Sequence, residues 1–392
     1  MVSNNRESAL LPAGITDGLP PDAEDEAEVL EQVMKILAAH GYDRIKPPLI
    51  EFEESLVRGL GMAVTHQTFR LMDPVSQRMM GLRADMTPQV ARIAASRLSQ
   101  APRPLRLSYA GQVVRVKGSQ LRAERQFTQV GAEIIGSANP AADAETICLA
   151  AESLIALGID GLSVDLGMPS LIAAVYANSN LTDEQFRLLR EALDRKDTAT
   201  VQALADEIGE GTAATLLALM NATGPVEAAL QYLSKVDLPL AAAACRSEFE
   251  DVVATIMVRN PDLCLTIDTI ENRGFEYHTG ITYTLFARGV RGELGRGGRY
   301  PAPVANGTEP ATGFSLFMDT VLRAIERQTV PDRLFVPHGT DPERARHWRA
   351  EGWIVVEGLE FASDAAVEAR RLNCSHLVAA DRIQNLKPKD GE

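Results

Sequence analysis

Cysteine is scarce: Cys148, Cys245, Cys264 and Cys374 are the four in 392 residues, far apart and without a Cys-x-x-Cys pair. Neither a zinc knuckle nor a disulfide framework has its ligands, so no metal is expected and a reducing, cytoplasmic setting fits. Positive charge is also in deficit. With 39 Lys and Arg against 53 Asp and Glu, the formal net charge is -14 and the pI is near 5.0. That balance opposes free-standing binding to a polyanion, which needs clustered basic side chains; no tRNA is expected as a partner. Long apolar runs are missing too, and Met1 to Ala9 is polar with no apolar region after it, so neither export nor a membrane role is expected. Gly295 to Tyr300 reads as a glycine-rich loop that lacks the Walker spacing and its lysine, which makes it a weak nucleotide signal. There is no internal repeat or low-complexity tract. What is present is an apolar fraction of 45%, enough for two or three domains that each bury a core.

Asp22 can cap a helix with an acidic first turn, whose Val29, Val33, Ile36 and Leu37 keep helical spacing up to Gly41. Ile45 to Ile50 contains Pro47 and Pro48 and reads as an edge strand or arm. Phe69 to Met72 and Met79 to Arg83 flank the turn-prone Asp73 to Ser76, predicting a hairpin. At its exit Thr87 is predicted as an N-cap and Pro88 as the first helical residue, which puts Asp85 at a strand-to-helix junction. A ligand-binding carboxylate and a capping aspartate both suit that place.

Two strands are predicted at Leu105 to Val116 and Arg125 to Ile135, around a polar loop from Lys117 to Glu124. In the second, Val130, Ala132 and Ile134 share one face, while Phe127, Gln129, Gly131 and Glu133 share the other. The polar face suits either a small polar ligand or solvent. Arg115, near the end of the partner strand, favours the ligand, because arginine binds a carboxylate through two parallel hydrogen bonds. Ser170 to Arg259 is almost purely helical in pattern. Strands resume between Leu263 and Gly298, around Arg273-Gly274-Phe275-Glu276-Tyr277-His278-Thr279-Gly280. An arginine, an acid, a tyrosine and a histidine within six residues read either as a pocket wall or as an ordinary connection. Thr312 to Asp319 leads into a helix, and from Arg333 short apolar runs alternate with helical segments, as in a small α/β unit.

In order along the chain, several of these blocks resemble histidyl-tRNA synthetase, a class II aminoacyl-tRNA synthetase. Gly41-Tyr42 through Glu51 is similar to its dimer-interface motif, and Leu82-Arg83-Ala84-Asp85-Met86-Thr87 to its Leu-Arg-Pro-Glu-x-Thr segment. Arg115 ends a strand as in class II motif 2, Arg125 to Glu133 resembles the strand that follows, and Arg273 to Gly280 resembles the histidine-specific signature. The resemblance implies an α+β fold: a class II synthetase-like antiparallel sheet flanked by helices, spanning 1–168 and 260–328. A helical insertion would fill 169–259, and 329–392 would be a short α/β remnant of an anticodon-binding-type domain. It also implies a histidine pocket in which Asp85 and Thr87 receive the α-ammonium and Arg115 and Gln129 hold the carboxylate, while Glu133 with Tyr277 or His278 binds the imidazole and Arg273 reports occupancy.

Departures from the synthetases are as informative. Lys117 stands where motif 2 has a glutamate, and in Gly313 to Thr320, the counterpart of motif 3, Phe317 replaces a glycine and Thr320 the arginine that helps bind ATP phosphates. Losing such a donor removes roughly 2.7 to 4 kcal/mol of charge stabilisation. Glu276 and His278 depart from the signature's aspartate and tyrosine, and an imidazole at 278 introduces a pH dependence near neutrality. Retained amino-acid recognition beside a dismantled ATP site resembles the ATP phosphoribosyltransferase regulatory subunit family. That implies a non-catalytic subunit of histidine biosynthesis without cofactor, dimeric through its synthetase-like core. It would assemble with a short catalytic subunit as a hetero-octamer, support its activity and confer inhibition by L-histidine. The roughly sixty residues after Arg333 agree, being fewer than an ordinary domain of roughly a hundred. A divergent histidyl-tRNA synthetase, or an amino-acid-binding paralogue with another partner, are the alternatives.

Overall fold

Asp22, Glu24 and Asp25 crowd the first turn of helix α1 (Asp22–Ala39), where free N–H groups and the helix dipole favour negative charge. Val29, Val33, Met34 and Leu37 recur at the spacing that puts them on one face, and all four are buried. The computed structural model describes residues 10–57, 67–118, 122–179, 181–270, 278–304, 306–326, 332–380 and 382–386. The chain divides into two compact units, 1–326 and 327–392.

The first unit is built on a nine-stranded mixed sheet. Its strands are β1 (Asp43–Arg44), β5 (Leu105–Val114), β6 (Gln126–Ile135), β7 (Leu162–Gly167), β8 (Thr223–Pro225), β9 (Cys264–Asp268), β10 (Thr282–Ala287), β11 (Gly295–Val304) and β12 (Gly307–Phe317), in the order β1-β5-β6-β12-β11-β10-β7-β9-β8. From β5 through β7 every pairing is antiparallel, as the resemblance implies. Parallel pairs join β1 to β5 and β7 to β9 at the flanks. A separate three-stranded sheet of β2 (Ile50–Phe52), β3 (Arg70–Met72) and β4 (Met79–Leu82) contains the hairpin expected around Asp73 to Ser76. The Asp73 carboxylate accepts from the Val75 and Ser76 N–H groups and so holds that turn.

Both faces of the large sheet are covered. On one lies a helix at Pro140–Ala156, whose Ala144, Ile147, Ala150, Ala151 and Leu154 pack in one core with Val130, Ala132 and Ile134 of β6. On the other, the helix at Thr87–Ser96 brings Val90, Ala91 and Ala94 against Leu107 and Tyr109 of β5 and Tyr300 of β11. The polar face of β6 is therefore not a solvent face: Gln129 is 0% and Glu133 1% exposed.

Two sequence readings change. Gly295 to Tyr300, read as a loop, is strand β11, paired on both sides, with Gly297 opposite Phe314 and Gly298 opposite Gly313. A Cβ at Gly297 would collide with the Gly313 carbonyl and the Tyr283 ring, so the glycines permit close packing here rather than flexibility. The long helical region has helices from Pro169 to Arg259, yet Thr223–Pro225 within it is an edge strand against β9. An edge position tolerates Pro225, which has no N–H to give a ladder.

The second unit has a sheet in the order β14 (Ile354–Glu357), β13 (Arg333–Val336), β15 (His376–Ala379), β16 (Arg382–Asn385), in which only the β15–β16 pair is antiparallel. Leu334, Val336 and Val378 pack with Trp348 of one helix, while Phe335 and Leu377 pack with Ala369 of another; helices cover both faces. No helix among the described residues is long and apolar enough to cross a membrane.

Candidate functional site

Strands β6, β12 and β11 are neighbours, and the start of the Thr87–Ser96 helix approaches their shared face. Between them lies a cleft of about 320 Å³, open mouth included, lined by Asp85, Thr87, Glu133, His278, Arg296, Gly298, Tyr300, Gly313, Phe314 and Ser315, among others. Glu133 is its most enclosed acid. Glu133 Oε1 accepts from Tyr109 Oη at 3.2 Å and from Thr87 Oγ1 at 3.4 Å, and Glu133 Oε2 accepts from Tyr300 Oη at 3.1 Å. Burial pushes its pKa up to about 8, with the charge of Asp85 acting in the same direction and the hydroxyls against it. Near neutrality the carboxyl keeps its proton.

Asp85 stands at another wall. Its Oδ1 accepts from the Thr87 N–H at 2.9 Å and from Gln129 Nε2 at 3.2 Å. The same carboxylate serves the helix start and lines the cleft. Thr87 is not the N-cap; it is the first helical residue, and its hydroxyl turns to Glu133 and to Tyr109 Oη. The Asp85 carboxylate satisfies the orphan donor that a capping hydroxyl would have taken. Gln129 is engaged throughout: Oε1 accepts from the Met86 N–H at 2.9 Å, and Nε2 also donates to Ser315 Oγ at 2.6 Å.

Arg115 lies outside the lining and donates from Nε to the Ala84 carbonyl at 3.3 Å. Its guanidinium is 5.0 Å from the Phe127 ring centre and 5.9 Å from that of Phe317. Burial, then the charge of Arg296, brings its pKa down to about 10, with Asp85 acting the other way. Arg296, which does line the cleft, lies 5.8 Å from the Phe317 ring. The lining thus holds the Arg296 guanidinium together with the carboxyl groups of Asp85 and Glu133, and Arg115 outside it feels the charge of Asp85.

Of the residues the sequence singles out, Asp85, Thr87, Glu133 and His278 share the cleft. Gln129 is bonded to Asp85, and Arg115 approaches through Ala84; Arg273 and Tyr277 lie outside the described residues. Sequence reasoning missed Arg296, Tyr300, Tyr109 and Ser315. Arg296, Gly298 and Tyr300 have the alternate spacing of one strand face, a signal lost once the glycines were read as a loop. Among the described residues no three potential metal ligands converge. The chemistry present, a guanidinium and carboxyl groups in one lining with a buried carboxyl beside hydroxyls, suits recognition of a zwitterion with a hydrogen-bonding side chain.

Residues 14–321 match the sequence model of the histidyl-tRNA synthetase family. A histidyl-tRNA synthetase from Nostoc sp. PCC 7120 superposes with a TM-score of 0.76 at 19% identity, covering 95% of this chain and 91% of that one. A structure described as an ATP phosphoribosyltransferase regulatory subunit/histidyl-tRNA synthetase from Bacillus halodurans C gives a TM-score of 0.81 at 23% identity, covering 94% and 97%. The fold is that of the class II histidyl-tRNA synthetases. At the level of sequence, the ATP phosphoribosyltransferase regulatory subunit of Rhodospirillum centenum is 54% identical, over 97% of both chains. That of Paramagnetospirillum magneticum is 55% identical over 97% of this chain and 99% of its own. The chain belongs to the ATP phosphoribosyltransferase regulatory subunit family.

Proposed function

We propose that this chain is a non-catalytic, cytoplasmic subunit that binds L-histidine in the cleft and transmits that occupancy to a short-form catalytic ATP phosphoribosyltransferase. The catalytic subunit depends on it for activity, and histidine inhibits through it. In this reading Asp85, with Thr87, takes the α-ammonium. Arg115 holds the carboxylate together with Arg296, and Gln129 acts by fixing Asp85. Glu133, with Tyr277 or His278 of the signature, receives the imidazole, and Arg273 reports occupancy. The observation that carries the reading is Glu133: a buried carboxyl that keeps its proton can pair with an imidazole without leaving a charge exposed to a low dielectric.

The chain pairs with a second copy through its synthetase-like core, 1–168 with 260–328, and the assembly with the catalytic subunit is a hetero-octamer. The described lining of the cleft comes from that core. Occupancy shifts the equilibrium between two arrangements of the assembly, which requires histidine to bind one of them more tightly. Calorimetry on the complex with the catalytic subunit tests this: heat of binding is expected, and its absence at millimolar histidine sinks the sensor role.

The match to the synthetase family favours one other reading, an active divergent histidyl-tRNA synthetase. It requires histidine-dependent exchange of pyrophosphate into ATP. Thr320, in the place of the phosphate-binding arginine, speaks against it, and folded protein is expected to show no exchange.

A further inference from the structure

The loop between β5 and β6 returns to the sheet through Arg122, a buried arginine whose guanidinium meets a carboxylate, a hydroxyl, a carbonyl and two aromatic rings. Arg122 Nε lies 3.0 Å from Asp319 Oδ2, with both side chains less than a tenth exposed. Its Nη2 donates to Thr320 Oγ1 at 3.3 Å and to the Glu293 carbonyl at 3.2 Å. The guanidinium covers the Phe317 ring at 3.9 Å and faces the Phe127 ring at 4.7 Å, and the two rings meet edge to face at 5.7 Å. Arg115 and Arg296 approach the same Phe317 ring at 5.9 and 5.8 Å. Three guanidinium groups thus surround Phe317, and one of them, that of Arg296, lines the cleft. Arg122 is paired with the buried Asp319.

We infer that Arg122, locked to Asp319 across Phe317, is the end wall of the cleft beyond the ligand's carboxylate. It makes the site selective for a free amino acid over derivatives whose carboxyl carries a bulky group. The inference rests on the histidine reading above. An unpinned arginine is flexible and steps aside for a ligand, whereas moving this one separates a buried ion pair and leaves Asp319 with the 4.0 Å contact to Arg323 as its ion pair. It also uncovers Phe317, which is itself fully buried. Thr320 belongs to the same device. Its hydroxyl also accepts from Arg323 Nη2 at 3.2 Å, so an arginine at 320 would bring a third guanidinium against two others. The two departures at 317 and 320 thus have a joint effect: a ring and a small acceptor that together seat Arg122. A subunit built this way reports the free acid and ignores its activated or esterified forms.

The test uses the full chain in complex with the catalytic subunit and two probes, L-histidine and histidyl-sulfamoyl adenosine. The acyl sulfamate keeps a negative charge beside the acyl carbon, so Arg115 and Arg296 retain their partner and only the bulk beyond differs. Calorimetry is expected to show the wild type binding the analogue at least about a hundredfold more weakly than histidine. In Arg122→Met with Asp319→Asn, the analogue gains about tenfold or more while histidine changes by no more than about threefold. Arg122→Met alone provides a second variant. Wild-type affinities for the two probes within about tenfold of each other overturn the inference, as does a variant that binds histidine normally without any gain for the analogue. Should both variants misfold, the wild-type ratio decides. Failure of histidine itself to bind the wild type refutes the histidine reading instead, which separates the two outcomes.

Discussion

Gly313 and Glu133 are partners in the β12–β6 ladder, and a Cβ built on Gly313 would fall well inside contact distance of Glu133 Oε2. The buried carboxyl has its place because residue 313 has no side chain. Gly313→Ala sets a methyl against that carboxyl and forces Glu133 away from Tyr300 and Tyr109, or the strands apart. Overpacking of this kind costs about 1–3 kcal/mol. Lower thermal stability and at least about a tenfold loss of histidine affinity are expected. A variant unchanged in both would show that Glu133 is not held as described.

Glu133 also gives the fold a pH dependence with a definite sign. Its folded pKa of about 8 lies above its ordinary value, so between about 4.5 and 8 the unfolded chain has shed a proton that the folded chain keeps. Stability from this group is greatest below that window and falls as pH rises through it. Glu133→Gln cannot titrate and loses this component. Thermal denaturation across that window is expected to show the variant gaining on the wild type as pH rises; parallel curves contradict the assignment.

Histidine binding inherits the same proton. A free imidazole is neutral above about pH 6.5, and the empty cleft keeps its Glu133 proton up to about pH 8, so the complex shares one proton between ring and carboxyl. Below the window the ligand must release a proton on binding; above it the cleft must take one up. Asp85, Tyr109, Tyr300, His278 and Arg296 surround the pair, and the expected profile of affinity against pH is bell-shaped, falling by up to about tenfold per unit on each flank. Glu133→Gln should lose the alkaline flank. His278→Tyr should keep both flanks, and a flat profile in that variant would move the titration from Glu133 to His278.

Gln129 contributes through Asp85. Gln129→Leu strands the buried Met86 N–H and frees Asp85 from one of its two donors, a change worth about 1–3 kcal/mol of stability. Urea denaturation should register that loss together with weaker histidine binding. A change under about 0.5 kcal/mol would mean that water or relaxation replaces these bonds.

Residues 127, 129, 131 and 133 were legible because a strand alternates with period two, and a face carrying Gln129 and Glu133 around Gly131 asks for a polar partner. Asp85 was legible as a junction residue, and its carboxylate does hold the Thr87 N–H at the helix start. Arg296 and Tyr300 escaped because Gly295, Gly297 and Gly298 look like a flexible loop until the strands on either side are known to press on them, as Gly313 and Tyr283 do on Gly297. The parallel pairs β1–β5 and β7–β9 escaped because each joins segments remote in sequence. Arg122 escaped for a related reason: its partners Asp319 and Thr320 lie almost two hundred residues away in the chain.

The central claim is that this chain both supports and restrains a catalytic partner. Mixing it with a short-form ATP phosphoribosyltransferase, and following turnover of ATP and phosphoribosyl pyrophosphate with and without histidine, measures both properties at once. The account predicts co-elution of the two chains, a rise in turnover on mixing, and inhibition by histidine that is lost in Glu133→Ala. No association and no change in turnover, or inhibition that persists unaltered in that variant, would contradict it.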